Sequence, residues 1–217
     1  SCAPPTYTIL TLPHSYKYTQ RGRNMGIQNR SNCQVRVIGS GGAGIRAAVE
    51  AAASGETIIV SKTITGKGGC SVMAEGGYNA VLRSADSVST HYEDTMKGGA
   101  FLNDPALVEV LAREAPDRIR DLFAWGAVFD LTCENEIAQR TFGGQRFPRT
   151  CYAGDHTGHE MVMTLLEKLR GSPVEIRDEL TVIDLLKDGN TVSGAITCDR
   201  DGELGVITAD AVVLAPG

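Results

Sequence analysis

No apolar stretch in this chain approaches the roughly 20 residues that cross a bilayer. If the protein works at a membrane, another subunit is expected to hold it there. Clustered positive charge is lacking as well. The chain has 21 Lys and Arg against 26 Asp and Glu, a formal net charge of -5. Nucleic acid and anionic lipid both select for clustered cations, so neither is expected as the main partner. The six cysteines (Cys2, Cys33, Cys70, Cys133, Cys151 and Cys198) are scattered, and no pair has the CxxC spacing of zinc or redox sites. They read as reduced thiols. Of the four histidines, His14, His91, His156 and His159, only the last two are close enough to share a helix face. They have no Cys or carboxylate partner at ligand spacing, so no metal site is expected.

What remains is an ordinary globular composition, 42% hydrophobic and 22% charged, in 217 residues, enough for one sizeable core. Residues 1–33 show neither helical nor strand period. They read as a disordered or non-native leader, with Met25 as the biological start and residues 1–24 as upstream sequence. A transit peptide is the competing reading, but a secretory signal is not, because no apolar core with a cleavage site is present. Order is expected from Gln34. Val35–Ile38 reads as a buried strand, Ile45–Ala53 as a helix and Thr57–Val60 as a second strand, a βαβ unit of the parallel, doubly wound kind. Helical spacing follows over 87–97 and 105–125, then a loop-rich stretch over 133–155 and a helix over 157–170. The tail changes to strand period over 174–176, 180–186, 191–199, 205–208 and 211–214, with turns at 188–190 and 201–202. No helix follows the last strand, which reads as a truncated chain.

Between the first strand and the first helix stands Gly39-Ser40-Gly41-Gly42-Ala43-Gly44, a G-x-G-x-x-G fingerprint. In this setting Gly39 makes the tight turn and Gly41 lets the backbone approach a pyrophosphate. Gly44 lets the helix pack against the strand, and the helix N-terminus offers N–H donors to phosphate. The acid that usually holds a ribose at the end of the second strand is absent. About 20 residues past the glycines the chain has Ser61 and Lys62, which weakens a simple NAD reading. Five glycines then fall in the twelve positions from Gly66 to Gly77. Bare backbone of this kind can lie against a flat ring and a diphosphate. A dinucleotide long enough to reach beyond the second strand, FAD rather than NAD, needs such a segment.

These residues, with Ser71-Val72-Met73-Ala74-Glu75-Gly76-Gly77, Asp94-Thr95-Met96-Lys97-Gly98-Gly99, Phe142-Gly143-Gly144-Gln145 and Asp155-His156-Thr157-Gly158-His159, resemble the succinate dehydrogenase/fumarate reductase flavoprotein family. The resemblance runs from Val35 to the end. It implies a doubly wound α/β, Rossmann-like FAD-binding domain with a β-hairpin insertion. Residues 34–217 would be its incomplete N-terminal part, cut before the capping domain. It implies FAD along Gly39–Gly44, Ser61, Lys62, Gly68, Gly69, Cys70, Ser71, Ala74, Glu75, Gly76 and Gly77. Respiratory members attach flavin through a histidine four residues before the Ala of A-[QE]-G-G. Cys70 stands there instead, so a noncovalent flavin is expected.

The resemblance further implies a dicarboxylate pocket in which Phe142 packs against the substrate and Glu75 reaches its carboxylate end. It gives no catalytic residue within the fragment, since the proton-donating Arg and clamping His residues would lie downstream. Arg140, Arg146 and Arg149 flank the F-G-G motif without being the family's proton donor. Electrons would pass to an iron–sulfur subunit, and a membrane-anchor subunit is left open. The location would be cytoplasmic, or peripheral at the inner membrane face through those partners. L-aspartate oxidase is the nearest rival, but it carries Glu-Gly-Gly-His where this chain has Phe142-Gly143-Gly144-Gln145. A module that binds FAD without turnover is the second rival.

Overall fold

The computed structural model describes residues 29–217. Met25, Cys2 and His14 therefore lie outside the described residues. The first strand, β1 (Asn29–Ile38), is longer than its apolar run and begins before Gln34. Its early residues are polar, but they pair with a parallel neighbour from Asn29↔Gly205 onward. Backbone pairing extends the strand where side-chain pattern gives no signal. Gln34 and Val35 both donate their amides to the Glu56 carbonyl, at 3.1 and 3.0 Å. Beyond this bulge-like irregularity, Val37 joins one face of the sheet while Cys33 packs on the other.

The helix α1 (Gly42–Ala51) begins inside the glycine motif, three residues earlier than the apolar pattern alone suggests. It leads to β2 (Thr57–Val60), all four residues of which are buried. The short β3 (Tyr78–Asn79) follows, then α2 (Val88–Gly98) and α3 (Pro105–Ala124). Both helices start on a side-chain cap. Ser87 Oγ accepts from the Thr90 amide at 3.1 Å, and Asp104 Oδ1 accepts from Ala106 at 2.9 Å, ahead of Pro105 in the first turn. The stretch read as loop contains β4 (Gln139–Arg140) and β5 (Thr150–Cys151), and α4 (Thr157–Arg170) comes next.

The tail forms β6 (Glu175–Arg177), β7 (Thr181–Asp188), β8 (Thr191–Cys198) and β9 (Leu204–Leu214). The two strands expected over 205–214 are one. Ala209 and Ala211 stay in register with β1, and the strand runs on through Asp210 between them.

The six-stranded sheet runs β6-β2-β1-β9-β8-β7. Its β6-β2-β1-β9 part is parallel, and β8 and β7 add to it antiparallel. The β7–β8 hairpin is the expected insertion, and it turns through Gly189 at φ +58°. One face of the parallel part is covered by α1 and α4. Val37, Ile45, Ala48 and Ile59 meet Val162, Leu165, Leu166 and Leu169 there. Each buried Val, Leu or Ile there contributes about 1.5–3 kcal/mol. A separate three-stranded sheet, β3-β5-β4, stands beside this core. Among the described residues no helix is long and apolar enough to cross a membrane.

Candidate FAD and dicarboxylate site

The glycine motif opens at the C-terminal end of β1, where the chain turns into α1. Gly39 has φ +104°, and a Cβ on it would stand 2.0 Å from the Ala215 carbonyl oxygen. A Cβ on Gly44 would stand 1.9 Å from the Gly39 oxygen. Neither position admits a side chain, because both neighbours are backbone. Gly41, the N-cap, supplies no side-chain cap, and the first turn of α1 holds no acid. The helix start is therefore left to a ligand or to another segment of the chain.

One segment does reach it. Ser71 Oγ accepts from the Gly42 amide at 3.1 Å, which brings the second glycine-rich stretch onto the first. Ala43 is exposed at the helix start. Ser40 and Ser61 share a hydroxyl hydrogen bond of 2.6 Å, and Ser61 is buried at the end of β2. Lys62 beside it is exposed. Asp178 ties this region to the tail, accepting from the Thr65 amide at 2.9 Å and the Thr65 hydroxyl at 2.6 Å. Gly69 has φ +90° with open space around it, Gly68 stands near Thr63, and Cys70 is exposed. Gly66, Gly69 and Gly77 take positive φ, and the stretch around Gly69 and Cys70 is exposed, which suits close approach by a flat, extended ligand.

Ala74 and Glu75 are exposed, but their carbonyls are fixed from below by α4. The Gly158 amide donates to the Ala74 oxygen at 2.7 Å, and Thr157 Oγ1 donates to the Glu75 oxygen at 3.4 Å. A Cβ on Gly158 would stand 2.1 Å from the Ser71 oxygen. Tyr78 donates its hydroxyl to the Thr157 oxygen at 2.7 Å. Burial, with Glu160 adding to it, pushes that phenol well above its ordinary pKa.

The F-G-G motif lies in the loop joining β4 to β5. Phe142 is 54% exposed, so it is not a core aromatic. Its ring carbons lie 3.3 Å from the point where a Gly76 Cβ would stand, so the two motifs meet edge to edge. Arg140 holds the junction. Its NH2 donates to the Gly76 oxygen at 2.8 Å and the Glu75 oxygen at 3.4 Å. The guanidinium sits 4.4 Å from the Tyr152 ring centroid and 5.9 Å from that of Phe142. The Glu75 carboxylate makes no protein hydrogen bond among the described residues and faces solvent.

A buried ionic cluster fastens the other end of the loop. Arg149 grips both Asp86 oxygens at 2.8 Å through Nε and NH2, and reaches Asp94 Oδ2 at 2.8 Å through NH1. The three side chains are 1%, 4% and 8% exposed. Burial alone would depress the Arg149 pKa, but the two carboxylates outweigh it and raise it. For Asp94, burial works to raise the pKa. Hydrogen bonds from the Arg146 amide and side chain and from Arg149 prevail and hold it below the ordinary carboxylate value. Removing Arg149 leaves the buried Asp86 carboxylate without its cation, a loss of about 3–5 kcal/mol, while Asp94 keeps Arg146. His91, one turn earlier on α2, is 1% exposed, and neither ring nitrogen is partnered among the described residues. Burial first, and the Arg149 charge second, push its pKa down, so it is neutral near pH 7.

Of the cofactor residues expected from sequence, the structure brings Ser40 to Ser61 and Ser71 to Gly42, with Gly44 and Ser61 buried and Lys62, Gly69 and Cys70 exposed. Phe142 meets Gly76 at the end of the segment that begins at Ser71. Sequence reading missed Arg140, Tyr152, Thr157, Gly158 and Asp178 as supports. The Thr157-Gly158 pair stood within a quoted motif, but nothing in its spacing revealed that it packs under Ser71 and Ala74.

Residues 34–217 match the family described as FAD binding domain. The chain is 47% identical over 190 residues to one component of the fumarate reductase (CoM/CoB) of Methanothermobacter marburgensis, covering 85% of this chain and 35% of that protein. It is 34% identical over 186 residues to the fumarate reductase flavoprotein subunit of Escherichia coli K12, covering 83% of this chain and 31% of the relative. Among solved structures, an E. coli quinol fumarate reductase variant superposes with a TM-score of 0.83 at 32% identity, covering 87% of this chain and 33% of that one. The apo Sdh1 complex of Mycobacterium smegmatis gives 0.80 at 38% identity, covering 86% and 34%. The chain belongs to the succinate dehydrogenase/fumarate reductase flavoprotein family. It carries that family's FAD-binding domain, and its relatives are oxidoreductases. It spans about a third of the length of the curated relatives it matches.

Proposed function

We propose that this chain forms the FAD-binding part of an oxidoreductase that interconverts succinate and fumarate and passes electrons to an iron–sulfur partner. The observation behind this reading is the contact of Phe142 with Gly76, bridged by Arg140. It joins the segment suited to a flavin with an exposed aromatic ring that can face a planar dicarboxylate. Bound FAD supplies a hydride acceptor or donor at N5 for a carbon of that dicarboxylate.

The residues of this chain act around that centre. The amides at the start of α1 receive the pyrophosphate, with Ser71 aligned beside them by its bond to Gly42. Ser40 and Ser61 offer hydroxyls toward the ribose in place of the usual acid. Gly76 and Gly77 let the backbone pass close under the Phe142 ring and against the Cys151 carbonyl, which seats the segment that would face the flavin ring. Phe142 presents a flat apolar face, and the exposed Glu75 carboxylate serves a substrate carboxyl through hydrogen bonds or a proton relay. Arg140, Arg146 and Arg149 are engaged by carbonyls or carboxylates, so none is assigned as proton donor.

Cys70 is exposed in the position where the family's flavin-linked histidine is expected, and we read the flavin as noncovalent. Acid precipitation of the holoprotein should then release the yellow cofactor into the supernatant. The partners in this reading are the dicarboxylate, the iron–sulfur protein and, where one exists, a membrane anchor that would hold the assembly at the inner face.

Substitution Phe142→Ala in the full-length gene product tests the site. The KM for fumarate should rise about tenfold, the loss of about 1.4 kcal/mol of binding, with FAD content unchanged. An unchanged KM would remove Phe142 from the pocket. L-aspartate oxidation by the same protein, with no fumarate turnover, would move the chain to the rival branch.

A further inference from the structure

The motif Asp94-Thr95-Met96-Lys97-Gly98-Gly99 belongs to the family resemblance, yet nothing in the cofactor surface uses it. Asp94 lies on α2, away from Gly39–Gly44, and its carboxylate is 8% exposed. It accepts three hydrogen bonds, all from the loop that follows Phe142. The Arg146 amide reaches Oδ2 at 3.1 Å, Arg146 Nε reaches Oδ1 at 2.6 Å, and Arg149 NH1 reaches Oδ2 at 2.8 Å. Arg146 adds Glu93 at 2.7 Å and the Thr90 carbonyl at 3.3 Å, both on the same helix.

The upstream end of the loop is held separately, by Arg140 on the Gly76 and Glu75 carbonyls. Between the two anchors, Gly143 and Gly144 touch nothing within 4 Å of a Cβ position, and Gly143 has φ +65°. The two glycines therefore add no packing, and between the anchors Gln145 makes one onward bond, donating Nε2 to Thr150 Oγ1 at 3.4 Å. The loop's place, and that of the Phe142 ring, is set by what holds its ends.

We propose that Asp94 is a positioning residue, acting through Arg146 and Arg149 to fix the Phe142 loop over the Gly76 turn. This rests on the reading of Phe142 as the substrate-facing ring. Small misplacements of groups that orient a substrate cost rate or affinity out of proportion to their size, so a carboxylate remote from the chemistry can govern dicarboxylate binding. Asp86 keeps Arg149 paired when Asp94 is altered, so the core survives the change.

The test uses the full-length holoprotein with Asp94→Asn, Arg146→Ala and the double variant. Asp94→Asn and Arg146→Ala should each raise the fumarate KM about tenfold, with kcat and FAD content within about twofold. The double variant should be no worse than the worse single, because both remove one interaction. Asp94→Glu should recover part of the loss. Amide exchange reads position without reference to substrate. In Asp94→Asn it should accelerate about tenfold at Arg146, whose amide donates to Asp94, while α1 and β2 are unaffected.

Unchanged exchange at Arg146 would overturn the proposal. So would a fall in FAD content for Asp94→Asn with Arg146→Ala at wild-type KM, which marks a scaffold role only. Arg146 is half exposed, so its variant folds even if the Asp94 variant does not. Faster exchange at Arg146 in Asp94→Asn, with normal KM in both Asp94→Asn and Phe142→Ala, would sink the substrate reading and leave the clasp standing.

Discussion

At the scale of single residues, the position most exposed to chemistry is Cys70. It lies in the glycine-rich segment and is free and exposed, as is Cys133, while Cys33 and Cys151 are buried. Burial pushes the Cys151 thiol up to about 11. At pH 8 only about one molecule in a thousand carries its thiolate. A maleimide at pH 8 should therefore label Cys70 and Cys133 and spare Cys151. Saturating FAD should slow labelling of Cys70 at least tenfold and leave Cys133 unchanged, read by peptide mass spectrometry. Equal rates at Cys70 with and without FAD would remove the segment from the cofactor surface. The raised thiol also sets a sign for stability. The unfolded chain loses the Cys151 proton first, so stability from this group is present below about pH 9 and declines as pH rises toward 11.

Among elements, the key junction is between α4 and the Ser71–Gly77 segment. The helix start replaces a side-chain cap with backbone contact, because its N-cap residue His156 forms no capping bond. Gly158 is what allows the approach. Its substitution by Ala would put a Cβ against the carbonyls of Ser71 and Ala74, a clash with backbone that cannot move aside cheaply. Gly158→Ala should cost about 1–3 kcal/mol of stability and weaken FAD binding at least tenfold, measured by thermal melting and by flavin fluorescence titration. Wild-type affinity in that variant would show that the segment binds without α4 beneath it.

This junction also marks how far the sequence could be read. The βαβ unit, α3, α4 and the hairpin of the tail were legible, because apolar period, caps and turn residues act over a few positions. The early residues of β1 and the join through Ala209 were not. They are extended by pairing between segments 176 positions apart, from Asn29 to Gly205, and local pattern has no access to that. The glycines expected to meet the cofactor could be picked out, since their spacing is local and Gly39, Gly66, Gly69 and Gly77 take positive φ. Arg140, Asp178 and the Asp94 clasp could not. Their importance comes from partners 64, 113 and 52 residues away in the chain.

For the whole molecule, the parallel sheet carries the β1–α1 turn, and a small second sheet delivers Phe142 to the end of the same surface. That arrangement would make the proposed flavin and dicarboxylate sites neighbours in one fold. The central claim is that the two work together on succinate and fumarate. The most direct measurement is anaerobic stopped-flow mixing of the reduced full-length flavoprotein with fumarate, following flavin absorbance near its oxidised maximum. The absorbance should return at a rate that saturates with fumarate, and Phe142→Ala should shift the half-saturating concentration upward. Flavin that stays reduced in excess fumarate would contradict the account.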